Sequence, residues 1–572
     1  MFYVKGILHV HKGNQAELIC IKSLLLSIEL HAIPIESVFL FVRIYIPKSI
    51  LFVCILLLTL TGFRYGNDLF EFSKHLEIFS NVYKTVQEEY VDEVPASEMA
   101  QHAIKSMLTK LDPYTVFYSE YQAEEALIER QGEYGGVGCR VVIKNHFPMV
   151  LEIEKGYGFD KADIKRGDFI LKAGEIDLFD RPIDEMMQYF RGAPNTQFNV
   201  TLLRNNDTLI KTVTRSHIEQ KSVSYQGVFD NKFGYIKLDE FGRDCAQEIA
   251  QALKNQIDSH KIQGLVLDLR NNGGGLLDQA VEIVGLFVPK NTLIVSLKGA
   301  HRKGNQLWRT PNEPLAPSLP VVVLVNESSA SASEVVSGSL QDLDRALIMG
   351  SPSFGKGLVQ NYKNLPYRTQ MKITTARYYI PSGRCIQKIN YRHISNDSKR
   401  AFKTKNGRTV YDGDGVHPDV NINKSESLEL LNWMKRELII FDYANLKELF
   451  WKPSKSENSF ELLSDFANYA SKDGSKKLSQ SITKLITNSS DSNIFKQLNF
   501  FEIKTSAIEN WISQDIKNNQ EWYLFEIRQA LFQRWFDKSK FHEIMLTKDP
   551  IISRAKSFLN SPNRINKIIN PK

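Results

Sequence analysis

The chain has 572 residues, enough for three or four domains. Hydrophobic residues at 42% and charged residues at 24%, with 32 Gly and 20 Pro, exclude a collagenous, mucin-like or wholly disordered chain, and a mean hydropathy of −0.27 excludes a polytopic membrane protein. The net charge of +7 (72 Lys and Arg against 65 Asp and Glu) is too dilute to name a nucleic acid as partner. The 5 cysteines (Cys20, Cys54, Cys139, Cys245, Cys385) show no CxxC or Cys/His spacing, so neither a disulfide framework nor a zinc site is expected.

From the N-terminus, the first signal is the charge-free apolar run at 49–63, which follows Arg43 and Lys48. It is shorter than the roughly 20 residues of a spanning helix and suits the apolar region of a signal peptide or short anchor. Export is therefore expected, with the remaining chain in the cell envelope on the periplasmic side, anchored or released. A buried core helix is the alternative. Residues 1–42 are long for the start of a signal, and a start codon assigned too early would account for them.

Beyond the run, Phe72, Leu76, Phe79, Tyr83, Val86 and Tyr90 recur at alternating steps of four and three, which predicts an amphipathic helix. From about Tyr134 to Arg215, short β-like runs (Arg140–Ile143, Phe169–Ala173, Phe198–Leu203) are broken by Gly and Asp turns and predict a small β-rich module. Between Gly234 and Gly350, apolar strands alternate with helical stretches, the pattern of βαβ units and a mainly parallel sheet. Ligands of such sheets sit beyond the carboxyl ends of the strands, so the loops there are the place to look for chemistry. After Val420 the chain turns helical and polar, with stripes at Leu431, Met434, Leu438, Phe441 and at Leu524, Ile527, Leu531, Trp535. The basic stretch 541–572 reads as a solvated surface.

Three loops carry candidate chemistry. The strand Val321–Val325 runs into Asn326–Glu334, with a helix from about Ala332; a Ser at such a turn exposes its hydroxyl beside unpaired backbone N–H groups. Ser331 with Glu334 is equally the pattern of a capping box, and spacing leaves open which of Ser328, Ser329, Ser331 and Ser333 would attack. The loop Ser353–Gln360 offers Lys356, a general base only if burial or neighbouring charge lowers its pKa. Gln360, four residues on, falls on the same face if the segment is extended. Gly350–Lys356 also approaches a phosphate-binding loop, but Gly357 brings no hydroxyl for Mg²⁺ and strand, not helix, is expected to follow. The loop Asp268–Gly275 holds three glycines that either admit a ligand to backbone amides or make a tight turn.

Together, Leu111–Thr115, Gly135–Gly138, Asp268–Gly275, Asn326–Glu334, Phe354–Gln360, Tyr379–Arg384 and Gly415–Val420 resemble the carboxyl-terminal processing peptidases, or tail-specific proteases. The resemblance covers about Phe72 to Val420. It implies an α/β (α+β multidomain) chain: a crotonase/ClpP-like protease core with an inserted PDZ-like domain and helical N- and C-terminal regions. The corresponding boundaries are 1–65 for an extension with an anchor at about 49–63, 66–130 helical, 131–215 PDZ, 216–425 peptidase core and 426–572 helical. The family places its serine 25 positions ahead of its lysine, and position 331 stands that far ahead of position 356. By resemblance Ser331 is the nucleophile, Lys356 the general base and Gln360 the residue that positions it. Ala332 and Gly274 then supply the oxyanion-hole amides, and Gly135, Gly136, Val137 and Gly138 hold a substrate's terminal carboxylate on an added strand. Family members often have Pro where Gly273 stands. The expected activity is that of a serine endopeptidase acting on exported proteins with a free C-terminus, without metal or organic cofactor and without nucleic acid. The expected partners are those protein substrates, the membrane through the N-terminal anchor, and a second copy in a homodimer. The alternative is an inactive, PDZ-containing tail-binding scaffold.

Overall fold

The computed structural model describes residues 70–120, 122–123, 133–219, 221–300, 305–389, 391, 399–422, 428–448, 458–488, 505–536 and 538–571. The apolar run 49–63 lies outside them, and among the described residues no helix is long and apolar enough to cross a membrane. In the unit ending at His102, residues 70–89 form the helix that the stripe predicts. Most of the stripe is exposed: Phe72 at 67%, Leu76 at 57% and Phe79 at 55%.

Everything from Ala103 belongs to the second unit. Its centre is a six-stranded sheet in the order β1 (Val223–Phe229), β2 (Phe233–Leu238), β3 (Gly264–Asp268), β4 (Val321–Val325), β5 (Leu347–Gly350), β6 (Val420–Asn421). Only the β1–β2 pair is antiparallel; the other four pairings are parallel. The sequences Gly-Leu-Val-Leu-Asp and Val-Val-Val-Leu-Val are buried along their whole length, as strands covered on both faces require. Their side chains alternate between two cores with the period of two that a strand imposes. Leu265, Leu267, Val321, Val323 and Val325 face α1 (Cys245–His260), α2 (Leu277–Gly285) and α3 (Ala332–Asp342). Val266, Val322, Leu324, Leu347 and Met349 face the other way.

That second face is covered by the end of the chain. Ile552, Ala555, Phe558, Leu559, Ile565 and Ile569, on the helices Pro550–Leu559 and Pro562–Ile569, are buried against it. The expectation of a solvated surface for 541–572 is therefore wrong for the apolar side of these helices. A Leu, Ile or Phe so buried is worth about 1.5–3 kcal/mol, so the basic residues mark only the outward side, as at Lys556, which pairs with Asp230 at 2.5 Å.

The β-rich module forms as expected: a sheet in the order Cys139–Lys144, Phe147–Ile153, Phe169–Ala173, Gln197–Arg204, Asp207–Thr214 around Val150, Phe159, Ile170, Phe190, Val200 and Leu202. Cys139–Lys144 is an edge strand. The helices between Glu429 and Leu546 have a core of their own, containing Met434, Tyr443, Phe466, Ile512, Ile527 and Leu531. The stripe Leu431–Phe441 is split between two helices by Leu438, whose φ of 60° ends the first. Lys144 of the module pairs with Asp442 of these helices at 2.8 Å.

Candidate active site

Strand β4 delivers the chain to Ser331 in a conformation that side chains rarely adopt, φ 56° and ψ −111°. Such strain persists only where neighbours over-determine it, and two loops supply them. Ser329 Oγ donates to the Leu269 carbonyl at 2.8 Å, Ala330 N–H to the Asn272 carbonyl at 3.0 Å, and Ser333 Oγ to the same carbonyl at 2.9 Å. Asn271 N–H and Asn326 Nδ2 close the other end at 2.9 and 2.7 Å. At Gly274 (φ 103°) a Cβ would stand 2.8 Å from the Ser331 Cβ and 3.0 Å from the Ala332 nitrogen, so only glycine fits. The Gly274 N–H donates to Asn272 Oδ1 at 2.9 Å. Ala332 opens α3, where an N–H has no intrahelical acceptor.

The capping box forms, with the Ser331 side chain set against the Glu334 N–H and the Glu334 carboxylate accepting the Ser331 N–H at 2.8 Å; the Glu334 N–H also reaches the Ser331 carbonyl at 2.9 Å. Glu334 does more than cap. Fully buried, its carboxylate also accepts Ser353 Oγ (2.5 Å), Gly355 N–H (2.7 Å) and Lys356 N–H (2.9 Å), binding the serine turn to the lysine loop. Burial pushes its carboxyl up to about 7, against the pull of those four donors. The buried Tyr378 hydroxyl makes a second bridge, donating toward the Ser331 carbonyl (3.1 Å) and the Lys356 carbonyl. Nothing in the sequence singles out Tyr378; Glu334 was visible, but only as a cap.

The Lys356 pKa is lowered first by burial and then by the charge of Lys372, against Glu334 and Asp112. Its Nζ stands 4.5 Å over the Tyr114 ring, and among the described residues no hydrogen bond joins it to Ser331. Tyr114 is fixed by Asp112, which accepts the Tyr114 and Thr115 N–H groups at 2.9 and 2.8 Å. The strand Leu358–Asn364 forms as expected in place of a phosphate-loop helix. Gln360 Nε2, however, donates to Thr374 Oγ1 at 3.2 Å, not to the lysine. The strand begins at Leu358, after the lysine, and its pairing slips between Val359 and Gln360, so the alternation of one strand does not run from Lys356 to Gln360.

Of the expected carboxylate loop, Gly135 and Gly136 lie in the strand Glu133–Gly136, paired with Ser216–Glu219. Only Val137 and Gly138 (φ 70°) form the turn into the edge strand Cys139–Lys144, and their carbonyls accept Phe159 N–H and Glu154 N–H, both at 2.9 Å. Among the described residues no group of three or more His, Cys, Asp or Glu is arranged to hold a metal.

A family model for peptidase family S41 matches residues 232–422, which hold β2 to β6 of the sheet and all three loops. A carboxy-terminal-processing protease of Bartonella bacilliformis is 35% identical over 323 residues, 55% of this chain and 73% of that protein. A probable CtpA-like serine protease of Staphylococcus aureus is 30% identical over 382 residues, 66% of this chain and 71% of its own. Among solved structures, a photosystem II D1 C-terminal processing protease aligns with 60% of this chain and 92% of its own, at 25% identity and a TM-score of 0.37.

Proposed function

Because the chain belongs to the S41 family of carboxy-terminal-processing serine peptidases, we propose that Ser331 and Lys356 are its catalytic dyad and that the β-rich module is a PDZ domain that reads a free C-terminus. On this reading 216–425 is a crotonase/ClpP-like core, 131–215 the inserted reader, and the run 49–63 sends both across the membrane. The observation that carries the reading is the strained Ser331 turn with Gly274 packed on it, which puts a hydroxyl at the opening of α3.

The neutral Lys356 amine takes the Ser331 proton as Oγ attacks the scissile carbonyl, and the Ala332 N–H meets the oxyanion. The Gly274 N–H joins it once Asn272 lets go. Collapse expels the amine with the proton from Lys356, and a water activated by the same amine releases the acyl group. For this the ammonium has to leave the Tyr114 ring. The tail adds to the edge strand Cys139–Lys144, its carboxylate at the Val137–Gly138 turn.

A second reading, an inactive tail-binding scaffold, is favoured by one observation: Lys356 rests on Tyr114 and not on Ser331. One experiment addresses both. The protein and its Ser331→Ala variant are given a substrate with a free or an amidated C-terminus. The proposal expects cleavage of the free-ended substrate and none by the variant; binding without product favours the scaffold, and equal cleavage of both ends refutes tail recognition.

A further inference from the structure

The loop bearing Gly274 is held from a part of the chain that the family match does not reach. Arg270, two residues past the end of β3, folds back on fully buried Asp268: its N–H reaches Oδ1 at 3.0 Å, its Nε reaches Oδ1 at 2.9 Å and its Nη2 reaches Oδ2 at 2.5 Å. Asp268 also accepts the Tyr235 hydroxyl at 2.7 Å, and Lys237 Nζ donates to the Arg270 carbonyl at 3.0 Å. The same Nη2 is 2.8 Å from Oδ2 of Asp549, which is 4% exposed. The guanidinium thus lies between two buried carboxylates, one from the loop and one from the helical region.

Asp549 divides its work. Oδ1 caps the helix Pro550–Leu559, accepting Ile551 and Ile552 N–H at 2.8 and 3.3 Å. Oδ2 is not needed for the cap and faces Arg270. The residue after Arg270 bonds the serine turn through Asn326, the next bonds Ala330 and Ser333, and Gly274 packs on Ser331. A shift of the guanidinium is therefore passed to the oxyanion donors within four residues.

We propose that Asp549 is a positioning residue for the reaction: through Arg270 it fixes the loop Asp268–Gly275 against Ser331, making the helical C-terminal region a working part of the active site. This rests on Ser331 as nucleophile. Asp549→Asn separates its two tasks, since Asn caps helices as well as Asp but turns either an uncharged oxygen or an amide donor toward the guanidinium. In the full chain, Asp549→Asn should melt within about 3 °C of the wild type. Its kcat should fall about tenfold, less than the 10²–10³ lost with a whole oxyanion donor, with KM within about twofold. Labelling of Ser331 by a fluorophosphonate should slow by the same factor, and on an Arg270→Gln background, which also strips buried Asp268 of its partner, Asp549→Asn should cost little more, because it acts only through Arg270. A wild-type kcat, or a loss matched by loss of folded protein, overturns the proposal. Should Asp549→Asn not fold, Arg270→Lys asks the same question, since an ammonium cannot span both carboxylates; wild-type kcat there is equally fatal. Ser331→Ala is assayed alongside. Activity surviving in it removes the dyad reading, whereas activity lost there but intact in Asp549→Asn removes only this proposal.

Discussion

Around Ser331, side chains and amides of two loops are tied to one another at 2.7–3.0 Å, whereas the Lys356 ammonium rests on an aromatic face and Gln360 bonds away from it. On the proposed dyad, the half that would meet the substrate carbonyl is built to one geometry, and the lysine side chain that would move the proton is not joined to it. Backbone joins them already, through Glu334 and Tyr378. The proposed dyad therefore asks for a rotation of the lysine side chain while Glu334 and Tyr378 keep the two loops together.

The largest effect should come from breaking the built half. Gly274→Ala places a Cβ 2.8 Å from both the Ala330 oxygen and the Ser331 Cβ, at a φ that disfavours any side chain. A loss of kcat of about 10² or more is expected, the scale of an oxyanion donor removed, with KM little changed; steady-state kinetics on the folded variant check it.

Next, the link between the halves is exposed through pH. The Glu334 carboxyl, raised to about 7 in the folded protein from the usual 4.5, holds a proton that the unfolded chain gives up. Its contribution to stability is complete below about 4.5 and is lost as pH rises through about 7. Melting temperatures across that window should therefore decline more steeply for the wild type than for Glu334→Gln; parallel curves would deny the link.

The smallest effect sharpens the loose half. Lys372 lowers the Lys356 pKa, so Lys372→Met should raise it and move the pH–rate profile of kcat/KM to higher pH, with the plateau unchanged. An unmoved profile would mean that Lys356 is not the titrating base.

Much of this was legible in the sequence, and what was not has identifiable causes. The strands of the sheet could be read because continuous runs such as Val321–Val325 have no other use for so many β-branched residues. The serine turn was visible as a strand running into a helix, although only the family spacing selected Ser331. The burial of the helices Pro550–Leu559 and Pro562–Ile569 was missed because their buried apolar residues, four on the first and two on the second, lie among lysines and arginines, and composition does not say which side faces inward. The resting place of Lys356 is a choice of side-chain torsions, and Tyr114, 242 positions away, gives no hint of it. The slip beside Gln360 belongs to the partner strand as much as to its own.

The cover of the sheet's second face also has a consequence for biosynthesis. Residues 550–569 are the last of the layer to be made, so until they arrive Val266, Val322, Leu324 and Met349 lack most of their cover on that side. The second face of the sheet is therefore completed only by the last helices of the layer to be made.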